Sequence, residues 1–126
     1  MPILIQLFLL MLKMQFSKNL NVELVLGDSS QVLFEKIKYI NKNILFWLDG
    51  HADYSIPLLD ELEQIKLLDN SEHIIMIDDV RMFGTPLWCG LEQSKVSSKI
   101  FEINKNYKIS YEDSPNGRND ILIAHL

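Results

Sequence analysis

The stretches Ile44-Leu-Phe-Trp-Leu48-Asp-Gly50 and His73-Ile-Ile-Met-Ile77-Asp-Asp79 decide the fold. Each is a short apolar run that ends at an acid, which is typical of a buried strand followed by a loop. Between them, apolar residues recur at helical spacing: Leu58, Leu62, Ile65 and Leu68. A strand, a helix and a second strand in this order predict a parallel pair, because a helical crossover returns the chain to the same end of the sheet.

Outward from this unit, the same patterns predict further strands and helices. Strands are predicted at residues 22–26, 44–48, 73–78, 107–111 and 120–125. Helices are predicted at residues 30–41, 56–68 and 91–103. Alternating strands and helices predict an α/β fold with a mainly parallel sheet covered on both faces. The last two strands flank Asn116-Gly117 and are predicted to form an antiparallel hairpin with a longer loop.

Composition limits the class of protein. A chain of 126 residues, 48% of them hydrophobic, predicts one domain over residues 1–126 with a real core. The net charge of −5 disfavours nucleic acid as a partner, because phosphates would be repelled. Cys89 is the single cysteine, which excludes an internal disulfide and agrees with a cytoplasmic location.

The apolar run Pro2–Leu12 contains one polar residue, Gln6, and is followed by Lys13. It is too short to span a bilayer, and it lacks the basic front and cleavage site of a secretory signal. We therefore expect a buried element of a protein that is not associated with a membrane.

Acids follow three of the predicted strands, at Asp28, at Asp49 and at the pair Asp78-Asp79. Ligand sites of parallel sheets lie beyond the carboxyl ends of the strands. Three carboxylates from Asp49, Asp78 and Asp79 would repel one another there unless a cation such as Mg²⁺ were shared. The alternative is that these acids only cap helices and loops.

Other side chains near these acids are candidates for chemistry or packing. His51 could act as a general base or a metal ligand, or could be an ordinary loop histidine. Arg81 is expected to pair with Asp79 or Asp49. Of the two tryptophans, Trp47 is predicted in the core and Trp88 in the wall of a pocket. The five glycines form neither a G-x-G-x-x-G motif nor a P-loop, which disfavours a phosphate-cradling site.

Three segments together resemble class I, Rossmann-like S-adenosylmethionine-dependent methyltransferases, and most closely bacterial small-molecule and sugar O-methyltransferases. They are Val22-Glu-Leu-Val-Leu-Gly-Asp28-Ser, Leu45-Phe-Trp-Leu-Asp-Gly-His51 and Ile74-Ile-Met-Ile-Asp-Asp79. The resemblance covers residues 20–125 and includes the final antiparallel hairpin. It implies methyl transfer to a small-molecule acceptor. Self-association into a homo-oligomer stays open.

The resemblance also implies roles for individual residues. Asp28 would bind the adenine amino group of S-adenosylmethionine, flanked by Gly27 and Ser29. Asp49 would lie beside the methionine part of the cofactor and the substrate, and with His51 it is a candidate catalytic residue. In the metal-dependent branch of the family, Asp49, Asp78 and Asp79 would hold Mg²⁺, which orients a substrate hydroxyl and lowers its pKa.

The chain departs from the family in its first part. The family's first strand and glycine-rich loop would precede residue 1, so the resemblance implies an incomplete fold, truncated at its amino terminus. Ile3-Leu-Ile-Gln6-Leu-Phe could be the second strand, with Gln6 where an acid is expected, although a helix over Pro2–Phe16 is equally compatible. We therefore expect impaired cofactor binding.

Two other functions stay open. The first is a non-catalytic, degenerate domain or a remnant that binds a partner, which the missing glycine loop favours. The second is an arginase-like metal hydrolase, because Asp49-Gly-His51-Ala-Asp53 resembles the D-x-H-x-D motif of that family. That family also needs a second acidic cluster and a longer chain.

Overall fold

A computed structural model of the protein describes residues 14–15, 18, 21–51 and 55–126. The predicted apolar element at 2–12, the family position assigned to Gln6, and Asp53 of the D-x-H-x-D motif lie outside these residues. Within the described part of the chain, no helix combines the length and the apolar character needed to cross a bilayer.

Helices and strands alternate through the first half of the described chain, as predicted. In chain order the elements are α1 (Ser29–Ile37), β1 (Leu45–Leu48), α2 (Leu58–Lys66), β2 (Ile74–Ile77), α3 (Gln93–Ile103), β3 (Lys108–Ser114) and β4 (Gly117–His125). Two single turns of 3₁₀ helix, Val80–Met82 and Pro86–Trp88, lie between β2 and α3. The α/β class is therefore confirmed.

The four strands form one sheet in the order β1-β2-β4-β3. β1 and β2 are parallel, with Leu45 opposite Ile74 and Leu48 opposite Ile77, as the sequence predicts. β4 is antiparallel to both β2 and β3, which confirms the predicted hairpin. The sheet is mixed: β1, β2 and β3 point in one direction, in agreement with the predicted mainly parallel sheet that ends in a hairpin, and β4 runs opposite to them. β4 follows β3 through a short hairpin and therefore pairs antiparallel to it.

The hairpin turn is tighter than predicted. Ser114 lies opposite Gly117, so Pro115 and Asn116 make a two-residue connection instead of a longer loop. Extra residues in β4 are accommodated where the register shifts between Glu112 and Ser114. Asn119 takes a left-handed conformation in that region, with a φ of 51°.

The hydrophobic core lies between one face of the sheet and the three helices. Alternate strand residues are buried there: Phe46, Leu48, Ile75, Ile77, Leu122 and Ala124. The helices contribute the apolar residues of the predicted inner faces of α2 and α3: Leu58, Leu62, Ile65, Val96 and Ile100. The opposite face of the sheet keeps Leu45, Trp47 and Ile74 exposed, so the prediction of a sheet covered on both faces is wrong for the described residues.

The strand predicted at residues 22–26 is absent. This segment has no regular secondary structure, and Val22, Val25 and Leu26 are exposed. A strand is stabilised by hydrogen bonds to a neighbour, and β1 and β3 form the edges of the described sheet without this segment beside either. Local β propensity is not sufficient without a pairing partner.

A buried acid ties the loop after β2 to the hairpin. Asp120 is 1% exposed and accepts hydrogen bonds from the Arg81 backbone N–H at 3.1 Å and from Ser114 Oγ at 2.6 Å. The Arg81 guanidinium also donates to this carboxylate and to Asp79 Oδ1. Burial alone would raise the pKa of Asp120, but these hydrogen bonds and the Arg81 charge lower it. The predicted Arg81–Asp79 pair is thus confirmed, and Asp120 joins it.

We expect Asp120→Asn to lower the free energy of unfolding at pH 7 by about 1–3 kcal/mol, because a charged acceptor of several hydrogen bonds is replaced by a neutral one. Since the folded-state pKa of Asp120 is lowered, the difference should shrink as the pH falls and the native carboxylate is protonated. Urea denaturation at pH 7 and at pH 3 measures both effects. Glu112→Gln, at an exposed position of β3, is the control; equal losses in the two variants would contradict a special role for Asp120.

Candidate functional site at the strand ends

Three acids converge where β1 and β2 end. Asp49, Asp78 and Asp79 each offer a carboxylate oxygen, and these oxygens all lie within 4.8 Å of one another. The arrangement follows from strand pairing. The Asp78 N–H donates to the Leu48 carbonyl at 3.3 Å, so the hydrogen bonds between β1 and β2 continue one residue beyond the end of β2. Asp49 and Asp78 therefore leave the sheet side by side. The predicted convergence of these three residues is confirmed.

Asp79 is held in an unusual backbone conformation. Its φ of 61° lies in the left-handed region, which is uncommon for a residue other than glycine. The Asp79 N–H donates to Asp78 Oδ1 at 2.8 Å, and Arg81 Nη1 donates to Asp79 Oδ1 at 2.8 Å. Asp79 occupies the N-cap position of the 3₁₀ turn Val80–Met82, but its side chain makes no capping hydrogen bond. The alternative interpretation of this acid as a helix cap is therefore wrong.

The charge of the cluster is only partly compensated. The pKa of Asp49 is raised by partial desolvation and then by the negative charges of Asp78 and Asp79, while His51 and a hydrogen bond from the Trp47 side chain act in the opposite direction. Carboxylate oxygens are the ligands that Mg²⁺, Mn²⁺ and Ca²⁺ prefer. A divalent cation bound here would remove the repulsion that raises the pKa of Asp49.

A cleft of about 290 Å³ opens beside the amino terminus of α1. Its wall includes four predicted site residues, Gly27, Asp28, Ser29 and His51. His51 is exposed and is separated from Asp49 only by Gly50, so one turn serves both the cleft and the acid cluster. Of the predicted cofactor residues, Gly27, Asp28 and Ser29 line this cleft, whereas Asp49 does not and lies with the other predicted metal ligands in the acid cluster.

Asp28 is the N-cap of α1. Its Oδ1 accepts hydrogen bonds from the Ser30 backbone N–H at 2.9 Å and from Ser30 Oγ at 2.7 Å. These bonds, with the side-chain bond the larger contribution, lower the pKa of Asp28, so it is a carboxylate at neutral pH. The two hydrogen bonds from Ser30 hold the Asp28 side chain in the wall of the cleft and occupy its Oδ1 atom.

Two buried polar residues of α2 form hydrogen bonds with Ser29, which lines the cleft. Glu61 is 4% exposed, and its Oε1 accepts a hydrogen bond from Ser29 Oγ at 2.5 Å, while Oε2 has no partner within the described structure. Gln64 donates to the Ser29 carbonyl at 2.8 Å and accepts from the Phe34 N–H at 2.8 Å. Burial raises the pKa of Glu61 despite the Ser29 bond. The Ser29 hydroxyl, predicted to bind cofactor, is thus engaged by Glu61.

Sequence reasoning missed Glu61 and Gln64, although a signal was present. Glu61 lies three residues after Leu58, and Gln64 lies four residues before Leu68, so both fall on the predicted inner face of α2, where the structure buries them. Gly50 allows the turn Asp49-Gly50-His51 to approach Pro57 and Glu61 closely. A Cβ there would lie 3.3 Å from Pro57 Cγ and 3.5 Å from Glu61 Oε1.

Comparisons of this chain with protein-family models, with curated proteins and with solved structures find no match. Function must therefore be inferred from the geometry of the site itself. That geometry consists of a carboxylate cluster and an adjacent cleft, joined by the turn Asp49-Gly50-His51.

In buffer free of divalent cations, we expect Asp49→Asn to raise the free energy of unfolding at pH 7 by less than about 1 kcal/mol, since solvent screens this exposed group. A raised pKa means that the folded state holds the Asp49 proton more tightly than the unfolded chain does. The charged carboxylate therefore costs stability at neutral pH, and that cost disappears below the unfolded pKa of about 3.9.

Thermal unfolding followed by circular dichroism at pH 7 and pH 3.5 measures this difference. The matched control is Asp69→Asn, which removes an exposed acid outside the cluster. A destabilised Asp49→Asn protein, or a gain that is the same at both pH values, would contradict repulsion within the cluster.

Proposed function

We propose that this chain is an S-adenosylmethionine-dependent methyltransferase domain that transfers a methyl group to a hydroxyl of a small molecule, assisted by a divalent cation. The observation that carries the proposal is the convergence of the Asp49, Asp78 and Asp79 carboxylates at the carboxyl ends of two parallel strands. The antiparallel hairpin that completes the sheet also agrees with the family resemblance.

The cleft is the proposed site of the cofactor. Asp28 would accept a hydrogen bond from the adenine amino group through Oδ2, since the helix cap uses Oδ1. Gly27 and Ser29 would flank the base, and the Glu61 and Gln64 contacts would keep Ser29 in place. A volume of about 290 Å³ is at the small end of ligand pockets, which agrees with binding of part of the cofactor.

The three acids fit a hard divalent cation, because all their donors are oxygens and the raised pKa of Asp49 reports excess negative charge. Such a cation would supply Lewis acidity that lowers the pKa of an acceptor hydroxyl. His51 is exposed beside Asp49 and could take the hydroxyl proton as a general base. Arg81 would keep Asp79 oriented toward the cluster through its hydrogen bond to Oδ1.

We expect the chain to bind Mn²⁺, used as a paramagnetic substitute for Mg²⁺, and to lose affinity by roughly tenfold or more in Asp78→Asn and in Asp79→Asn. Titration followed by electron paramagnetic resonance of free Mn²⁺ measures the affinity directly. Asp69→Asn is again the control, because it lowers the charge of the chain equally outside the cluster. Equal affinities in all four proteins would mean that the three acids hold no metal and act only in hydrogen bonds and ion pairs such as Arg81–Asp79.

We also expect this chain to bind S-adenosylhomocysteine weakly, because its five glycines form no glycine-rich cofactor loop. A hydrogen bond to a charged group contributes about 1.5–3 kcal/mol. The family's acid at the position of Gln6 binds the cofactor ribose, and the loss of that contact alone would weaken binding by roughly tenfold to a hundredfold. Calorimetric titration into the millimolar range measures this binding.

Asp28→Ser tests the residue assigned to adenine. Serine retains N-cap ability while the carboxylate is removed, so a further loss of affinity reports the ligand contact and not an unravelled α1. Glu35→Gln, at an exposed position of α1, is the control. Tight binding that Asp28→Ser leaves unchanged would contradict the assignment of the cleft, and no binding of either ligand or metal would favour a non-catalytic domain.

A further inference from the structure

A buried histidine lies at the start of the β1–β2 pair. His73 is 1% exposed, and its Nδ1 accepts a hydrogen bond from the Ile44 backbone N–H at 3.1 Å. The Ile74 N–H donates to the Ile44 carbonyl at 3.0 Å, so residues 73 and 74 together bind both backbone groups of Ile44. The ring of His73 therefore takes the place of a backbone acceptor where the two strands begin.

The hydrogen bond from Ile44 requires a neutral ring. A ring nitrogen that accepts a hydrogen bond carries no proton, so the proton of neutral His73 resides on Nε2. Nε2 is buried and makes no hydrogen bond of normal geometry within the described structure. Phe46 contacts the ring edge-on, with the centroids 5.4 Å apart. A second proton would convert Nδ1 into a donor that faces the Ile44 N–H, and this hydrogen bond would be lost.

The groups of the described chain that surround the ring offer no charge to stabilise its protonated form. Phe46 of β1 is apolar. Tyr107, which follows α3, donates from its hydroxyl to the His73 carbonyl at 2.7 Å, and burial raises the pKa of this tyrosine to about 12, so it is neutral. Burial lowers the pKa of His73, and the Asn70 backbone acts in the opposite direction.

The ionisable side chains at this end of the sheet are remote from the ring. Glu72 and His125 line an open cleft of about 400 Å³ together with Leu45 and Ile74, which belong to the uncovered face of the sheet. The His73 ring lies in the core on the other face, where it contacts Phe46. Neither Glu72 nor His125 contributes to the lowered pKa of His73.

The start of β1 can open without disrupting the remainder of the sheet. β1 is an edge strand of the described sheet and pairs with β2 alone. The chain before it lies at the surface, where Tyr39 and Ile40 are exposed. Local opening requires little free energy where few buried contacts must be broken. The contacts that resist opening here include the His73–Ile44 hydrogen bond.

We propose that His73 is an acid-sensitive switch, in which protonation of the ring breaks the hydrogen bond from Ile44 and releases the amino-terminal end of β1 from β2. Release exposes the ring to water, where the charged imidazolium is solvated. The inference is independent of the methyltransferase proposal, since it uses neither the acid cluster nor the cleft.

The direction of the pH dependence follows from the lowered pKa of the closed state. Below a pKa of about 6.5, the released ring binds a proton that the buried ring does not bind. The closed end is therefore fully stable above this pH and loses stability as the pH falls. The equilibrium constant for opening should rise by about tenfold for each pH unit until the buried ring is also protonated.

Amide hydrogen exchange followed by NMR measures this opening at a single residue. We expect the protection factor of the Ile44 N–H, corrected for the intrinsic exchange rate, to fall by about fivefold to tenfold between pH 7 and pH 5.5. Leu122 lies in β4, which is paired on both sides, and its protection should change by less than about twofold. Parallel losses at both residues would indicate global unfolding and contradict a local switch.

His73→Asn separates the hydrogen bond from the titration. The asparagine Oδ1 can accept the Ile44 N–H, but the side chain takes up no proton in this pH range. We expect Ile44 protection in this variant to be equal at pH 7 and pH 5.5. His125→Asn, at the end of β4, is the matched control and should retain the pH dependence of the parent protein. A pH dependence that persists in His73→Asn would overturn the proposal.

The parent protein supplies a readout that does not depend on the folding of any variant. The ¹⁵N shifts of the His73 ring identify the nitrogen that carries the proton and the pH at which the ring titrates. We expect the proton on Nε2 at pH 7 and a midpoint below the ordinary value of about 6.5. A proton on Nδ1 at pH 7, or a midpoint at or above the ordinary value, would contradict the switch.

Discussion

Backbone hydrogen bonding between β1 and β2 holds these strands parallel and in register, and the candidate site depends on that pairing. The ladder begins with Ile74 N–H to the Ile44 carbonyl and ends with Asp78 N–H to the Leu48 carbonyl. His73 secures its beginning, because burial lowers the pKa of this histidine and its neutral Nδ1 can accept the Ile44 N–H. A slip of one residue would turn the core-facing side chains outward and separate the acids that follow.

The site is built from groups that also stabilise the fold. Asp28 caps α1, Ser29 joins α1 to the buried Glu61 of α2, and Arg81 joins Asp79 to the buried Asp120 of the hairpin. These contacts restrict the cleft and the acid cluster to one geometry. The mutual repulsion of Asp49, Asp78 and Asp79 opposes this arrangement and contributes to the raised pKa of Asp49.

Local sequence patterns predicted the secondary structure correctly where the strand or helix packs against an element close to it in the chain. The β1 and β2 runs, the apolar stripes of α2 and α3 and the hairpin all formed close to their predicted positions. The predicted strand at 22–26 failed because a strand needs a partner elsewhere in the chain. The prediction that Trp47 lies in the core is also wrong, because this side chain is half exposed; Trp88 is buried instead, and its ring packs edge-on against Phe83 with the centroids 5.1 Å apart. Whether an apolar side chain is buried depends on which elements of the fold cover it, and the residue type alone does not show this.

The sequence by itself determined that the chain forms an α/β domain and that acids stand at the ends of its parallel strands. Both follow from periodicity and chain order, which act over a few residues. Only the tertiary structure decided that helices cover one face of the described sheet, that β4 inserts between β2 and β3, and that Glu61 and Asp120 support the site. These features depend on contacts between residues more than thirty positions apart, whose free energies arise only when the whole chain packs.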